Sequence, residues 1–483
     1  MCRTTEPVEE ASSHEDKKQT PRALRLWRDV VLAIRGSEQD FTAGGLGRAI
    51  LLLSIPMILE MVMESVFAVV DIYFVSKLGP DAVATVGVTE SLLTLVYAIA
   101  IGLSMGTTAL VARRIGEKRP REAAKTAVQA IAVGALASVP VAAVGITLAP
   151  DMLRLMGMDA AVAEANSTFT MVMLGSNVVI MLLFVINAVF RSAGDAAVAM
   201  RVLWLANGLN VVLDPCLIFG WGPFPELGIT GAAVATTIGR GTGVLCQLWI
   251  LSRRNRRVYV TRRELRLEPS VMGRLVRVSL GGIGQFVIGT ASWIGLMRIM
   301  SVFGAQSLAG YTIAIRIIMF TLLPSWGMSN AAATLVGQNL GAGKPDRAAR
   351  SVWWTAVANM VFLAGIAVVF IAYAEFFVRL FTDVPGVVAV GADCLRVLSF
   401  GYLSYALGMV VTQAFNGAGD TITPTVLNLF CFWMTELPLA YLLAIRLGYG
   451  ERGIFYAIVV ADIVFSISGT IVFRRGKWKL RQV

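Results

Sequence analysis

Apolar residues in this chain come in long unbroken blocks, not in the alternation of strands or the one-sided stripes of soluble helices. Twelve blocks recur, roughly at 48–72, 82–111, 124–149, 167–190, 198–219, 228–251, 274–300, 306–334, 351–374, 391–415, 424–446 and 453–473. At about 20 residues or more, each is long enough to cross a bilayer as a helix. The pattern predicts an all-α polytopic membrane protein with twelve transmembrane helices. A mean hydropathy of +0.71 and a 15% share of charged residues agree with that class.

The blocks repeat. "LVARRIGEKRPREAAK" starts at Leu110 and "LVGQNLGAGKPDRAAR" at Leu335, an offset of 335 − 110 = 225. The same offset carries Gly79 onto Gly304, "FRSAGD" (190–195) onto "FNGAGD" (415–420), and Gly228, Ile229 and Ala232 onto Gly453, Ile454 and Ala457. Each half holds six spans, an even number, so the halves enter the membrane from the same side and are parallel-related. The expected layout is a tail with an amphipathic lead-in helix (1–45), a first six-helix bundle (46–251), a basic linker (252–273), a second bundle (274–474) and a basic tail (475–483), with a central cleft between the bundles. The lead-in stretch "RALRLWRDVVLAIRG" (22–36) fits a helix on the inner leaflet or a solvated one, and 1–20 reads as disordered.

Charge sets orientation. The net +11 is concentrated after even-numbered spans, in "RRIGEKRPREAAK" (113–125), "RRNRRVYVTRRELR" (253–266), "GKPDRAAR" (343–350) and the C-terminal tail. Segments after odd-numbered spans, such as "KLGPD" (77–81) and "WGPFPELG" (221–228), are nearly neutral. This is the positive-inside pattern, placing both termini in the cytoplasm of a cell-membrane (inner-membrane) protein, and it explains the basic loops without nucleic acid. The five cysteines are scattered, with no metal-ligand or disulfide spacing, and the single histidine, His14, lies in the polar tail. A histidine-based metal site or Ser-His triad is thereby excluded, as is an HExxH protease.

Candidate chemistry lies in polar residues inside the blocks. At about 100° per residue, Glu60, Glu64 and Asp71 fall within roughly 40° of one another on the first span, with Met61 beside them. Asn207, Asn210 and Asp214 share a face on the fifth, spanning roughly 60°. Pro215 has no N–H, so the Val211 carbonyl loses its helical partner and becomes a possible ligand. Intramembrane acids face the protein interior and mark functional sites by default. At offset 225, Asp71 falls on Leu296, Asn187 on Thr412, Asn210 on Thr435, Asp214 on Leu439 and Thr236 on Ala461, so this polar set is confined to the first half. Glu436 and Asp462, in the second half, are acids that this asymmetry does not account for. The plainer alternative makes Asp71 and Asp214 structural, paired for instance with Arg240, one turn beyond Thr236.

These motifs carry a resemblance. "SIPMILEMVMESVFAVVDIYFVSKLG", "INAVFRSAGD", "NVVLDP", "GITGAAVAT" and "QAFNGAGDTITPT", in this order over about 41–475, resemble the multidrug and toxic compound extrusion (MATE) transporters, the DinF-like branch more than the NorM-like one. The resemblance implies that Asp71, Asn187, Asn210, Asp214 and Thr236 form a first-half cation or proton network. Glu60, Glu64, Met61 and Asn207 are expected along the substrate cleft. The NorM-like branch has acids in spans 7 and 10, whereas "GGIGQFVIGTASW" and "LSYALGMVVTQAF" here have none.

The expected function is a monomeric antiporter exporting a small organic, often cationic, compound in exchange for H⁺ or Na⁺. No cofactor is expected, and no metal beyond possible Na⁺ at Asp214, Asn210 and Thr236. Many methionines and aromatics suit adaptable, polarisable walls, although ordinary membrane packing uses them too. The rival is a lipid-linked oligosaccharide flippase of similar doubled plan, which calls for a cationic cavity. A channel is disfavoured by the lack of a filter-like repeat.

Overall fold

The computed structural model describes residues 22–36, 39–254 and 257–481. The polar stretch 1–20, with Cys2 and His14, lies outside them. Among the described residues the secondary structure is all helical, with α1 (Arg22–Arg35), α2 (Leu46–Ser76), α3 (Pro80–Gly116), α4 (Pro120–Leu155) and α5 (Ala160–Ala193) in order. The first half closes with α6 (Ala196–Phe219) and α7 (Ile229–Leu251). The second half runs through α8 (Pro269–Met300), α9 (Ala305–Gly341), α10 (Pro345–Arg379), α11 (Pro385–Ala418), α12 (Ile422–Arg446) and α13 (Glu451–Arg474).

Every expected span is present. Eleven described helices are long and apolar enough to cross a membrane. The other, α7, has 23 residues but dilutes its apolar character with Arg240, Gln247 and four glycines. Local chemistry sets the boundaries. Proline opens α3, α4, α8, α10 and α11, where a missing N–H is harmless. Gly194 and Gly419, one repeat apart, end α5 and α11 in the left-handed region at φ 91° and 84°.

The repeat is visible in the packing. Contacts between the halves pair α2 with α9 and α8 with α3, while α3 and α9 meet each other. Symmetric glycines set the closeness of this seam. A Cβ on Gly102 would sit 2.7 Å from the Ile283 nitrogen, and one on Gly327 would sit 2.6 Å from the Met57 carbonyl oxygen. Nearer the basic end, Gly116 abuts the Gln338 carbonyl and Gly341 abuts the Arg113 carbonyl. All these contacts lie in the halves of the helices that face the basic loops.

At that end the connecting segments lace the bundles together. Arg257 of the linker donates to the Gln39 carbonyl at 2.9 Å, while Lys344 donates to Thr42 at 2.9 Å and Arg347 to Gly44 at 2.9 Å. Phe41, between them, is buried. Arg113 reaches the Arg481 carbonyl at 2.7 Å, and Arg481 pairs with Asp420 at 3.2 Å. The stretch before α2, the linker, the C-terminal segment and the loops after α3 and α9 therefore share one face. Helix α1 packs on α2 and α6, burying Ala33 while Trp27 stays exposed.

Two helices depart from regular winding. α5 breaks at Ser176, and α12 is wound as π-helix over Leu429–Glu436 and Leu442–Arg446. A π segment takes more residues per turn, so a fixed offset loses facing along it. Pairing Asp214 with Leu439 and Asn210 with Thr435, as the constant offset does, is therefore not a structural correspondence.

Candidate functional site: polar clusters of the first bundle

Three polar groupings occupy the first bundle. The deepest joins α6 to α7. Asn210 Nδ2 donates to Asp214 Oδ1 at 3.3 Å and to Thr236 Oγ1 at 3.1 Å. Asp214 is fully buried, and Asn210 and Thr236 are buried with it. Neither Asp214 Oδ2 nor Asn210 Oδ1 has a hydrogen-bond partner. A buried carboxylate oxygen left unpaired is costly unless a proton or cation meets it. The cluster thus offers three side-chain oxygens within one turn of two helices, next to the proline that frees the Val211 carbonyl.

Asp71 belongs to the neighbouring grouping. It lines a small pocket with Thr89, Glu90 and Thr236, so Thr236 touches both groups. Asp71 also lies within Coulombic range of Asp214. The sequence reading missed Glu90, an acid inside the second apolar block, whose position alone was a signal.

The third grouping lines a central cavity of ≈ 170 Å³ at the seam between the bundles. Glu60 Oε1 accepts from Arg191 Nη1 at 3.0 Å and Asn187 Nδ2 at 3.2 Å, and Gln247 donates to Asn187 Oδ1. Glu64 accepts from Asn207 at 3.0 Å and pairs with Arg240 at 3.4 Å. Arg240 also donates to the Tyr97 hydroxyl at 3.2 Å and lies over the Phe67 ring. Met61 sits among these groups on the cavity wall.

The sequence-derived residues are therefore not one cluster. Asp214, Asn210 and Thr236 are joined by hydrogen bonds, with Asp71 adjacent through Thr236. Asn187 stands apart with Glu60, Arg191 and Gln247. Arg240 pairs with Glu64 and lies within Coulombic range of Asp71, while no ion pair reaches Asp214 among the described residues. The glutamates expected along the cleft are charge-balanced on this wall by Arg191 and Arg240. Arg191 was legible as the cation in "FRSAGD", at the end of an apolar block, but its partner was not.

Other chemistries find no footing here. The string from Gly102 to Gly106 reads G-x-S-x-G, yet it lies inside α3, and Ser104 donates to the Ala100 carbonyl at 2.8 Å. A nucleophile elbow needs a strand-to-helix turn. Among the described residues, no three of His, Cys, Asp and Glu gather at metal-ligand distance.

Comparison with known proteins agrees with this architecture. The MatE family model matches residues 56–216 and again 283–442, one match in each half. A probable multidrug resistance protein NorM of Thermotoga maritima is 27% identical over 441 residues, covering 89% of this chain and 93% of that protein. An FAD transporter of Shewanella oneidensis is 24% identical over 426 residues, covering 88% and 93%. Among solved structures, the outward-facing conformation of a multidrug resistance MATE family transporter of the MOP superfamily superposes with a TM-score of 0.84 at 26% identity, covering 90% of this chain and 96% of that one. A MOP superfamily transporter from Pyrococcus furiosus, described by the reverse polarity of its binding pocket, also gives 0.84 at 25% identity, covering 92% and 98%. These matches concern the family and do not separate its branches.

Proposed function

Since this chain belongs to the MatE family of multi-pass membrane transporters, and is not an enzyme, we propose that it is a secondary antiporter exporting small organic compounds against inward H⁺. The observation that carries this reading is the buried Asp214 with one oxygen unpaired, held by Asn210 and Thr236 beside Asp71. A carboxyl group so placed can take up a proton from one side and release it to the other once the bundles rock. Sodium needs several oxygens in a fixed shell, and the same cluster with the Val211 carbonyl is the alternative cage. Protons are favoured because the second-half acids at spans 7 and 10, which the NorM-like pattern places there, are missing from the stretches "GGIGQFVIGTASW" of α8 and "LSYALGMVVTQAF" of α11.

The basic face is the cytoplasmic one on the positive-inside argument. With α3 and α9 packed through glycine at that face, the conformation is the one sealed to the cytoplasm. Opening requires separation of these contacts and of the lacing formed by Arg257, Lys344 and Arg347. The flippase reading asks for a cationic cavity, and the arginines of the central cavity are each occupied by a glutamate.

The test is efflux from proteoliposomes carrying the protein, with ΔpH and Na⁺ gradients imposed separately at clamped voltage. Export driven by ΔpH without Na⁺ supports the proposal. Export driven by Na⁺ alone at constant pH refutes proton coupling.

A further inference from the structure

The second bundle contains a chamber of ≈ 500 Å³, within the range of drug-sized ligand pockets. It joins the central cavity, because Met105, Trp326, Gln413 and Asn416 line both. Two acids line it, Glu436 from α12 and Asp462 from α13. Glu436 is 4% exposed, and its Oε2 has no hydrogen-bond partner. The two carboxyl groups lie within Coulombic range of each other. No lysine or arginine is among the described residues that line the chamber.

This is the reverse of the central cavity, where Glu60 and Glu64 each meet an arginine. Two unpaired acids at membrane depth call for a proton or for a cation that enters from outside the protein. The walls indicate which kind. Tyr311, Tyr402, Tyr405, Trp293 and Phe286 surround the space. Aromatic faces attract large, weakly hydrated cations. A small metal ion wants a tight shell of oxygens, and a roomy aromatic chamber does not supply one. The backbone adds an independent sign: Glu436 ends the π-wound stretch Leu429–Glu436, in which Thr435 donates to the Phe430 carbonyl five residues back. Such insertions turn a side chain out of helical register and are frequent at functional sites.

We infer that this chamber binds the organic cation that the transporter exports, with Glu436 and Asp462 as its counter-charges. Cargo and coupling ion then occupy different bundles, the ion at Asp214 and the cargo across the seam. The inference rests on the antiport reading above, but its test needs no gradient. Equilibrium binding of radiolabelled tetraphenylphosphonium is measured on the purified full-length protein in detergent. Glu436→Gln and Asp462→Asn should each weaken binding about tenfold or more, as when a buried ion pair loses one member. Glu436→Asp, which keeps the charge, should bind close to wild type, and the neutral triphenylphosphine oxide should not compete.

Wild-type affinity in both neutral variants, or no binding to the wild type, would overturn the inference. Because a variant can misfold, the wild-type protein is also labelled with a photoreactive phosphonium. Cross-links should map to α12 and α13, and labels confined to the first bundle would overturn the inference. Gradient-driven efflux by the wild type is a separate reading, so failure of the chamber assignment leaves the antiport result standing.

Discussion

The seam between the bundles offers a direct way to bias the conformational cycle. An ordinary Cβ contact begins at 3.4 Å, whereas a Cβ on Gly102 would lie 2.7 Å from the Ile283 nitrogen and one on Gly327 would lie 2.6 Å from the Met57 carbonyl oxygen. The shortfalls are 3.4 − 2.7 = 0.7 Å and 3.4 − 2.6 = 0.8 Å, against main-chain atoms that cannot swing aside. Gly102→Ala or Gly327→Ala must therefore push the bundles apart. Overpacking of this kind costs about 1–3 kcal/mol. The strain exists only while the seam is shut, so the conformer with the basic face open becomes favoured by about 5- to 150-fold. Spin labels at Arg121 and Asp346, exposed positions one repeat apart, read the separation of the basic ends by pulsed dipolar spectroscopy once the five native cysteines are replaced. Each alanine variant should move population to longer distances, while Gly365→Ala, which meets nothing within 4 Å, should not. A distance distribution unchanged by both seam variants would refute the steric argument.

Removing Arg191 leaves Glu60 buried without its cation; Arg191→Gln should lower stability by about 3–5 kcal/mol, read by thermal unfolding in detergent. Adding Glu60→Gln should recover most of that loss, and a double variant as unstable as the single one would show that the pair is not coupled. Thr236→Ala discriminates between the two coupling ions: it should perturb a proton cycle little, but would strongly weaken transport if Na⁺ were held at Asp214 and Asn210. Tags fused at residues 1 and 483 should both be reachable only from the cytoplasm, and labelling of either from outside would contradict the positive-inside assignment.

Much of the fold was legible because the membrane imposes a coarse code. Blocks long enough to span, basic loops after every second block and a constant offset of 225 predicted twelve helices in two parallel bundles, and α2 to α13 follow them closely. The seam is built from glycine pairs at the same offset, Gly102 with Gly327 and Gly116 with Gly341, whereas Gly79 and Gly304, the pair that marked the repeat, meet nothing within 4 Å. The site was only partly legible. Helical periodicity put Asn210 and Asp214 on one face of α6, where they bond to each other. It could not show that Asn187 bonds to Glu60, because that contact joins α5 to α2 across 127 residues. It gave no sign that Arg240 meets Glu64, for the same reason. The fixed offset failed along α12, where π winding inserts residues that no composition pattern reports. That is why Glu436 stood unexplained until its chamber was seen.

The central claim is that export and inward proton movement are one process carried by Asp214. The most direct measurement loads proteoliposomes with a pH-sensitive dye and drives protons by cargo. A tetraphenylphosphonium gradient, with voltage clamped and no imposed ΔpH, should move protons in the opposite direction through the wild-type protein. Asp214→Asn, still present in the membrane, should show none. Proton counterflow in Asp214→Asn equal to that of the wild type would contradict the account and leave the Asp214 carboxylate a structural group.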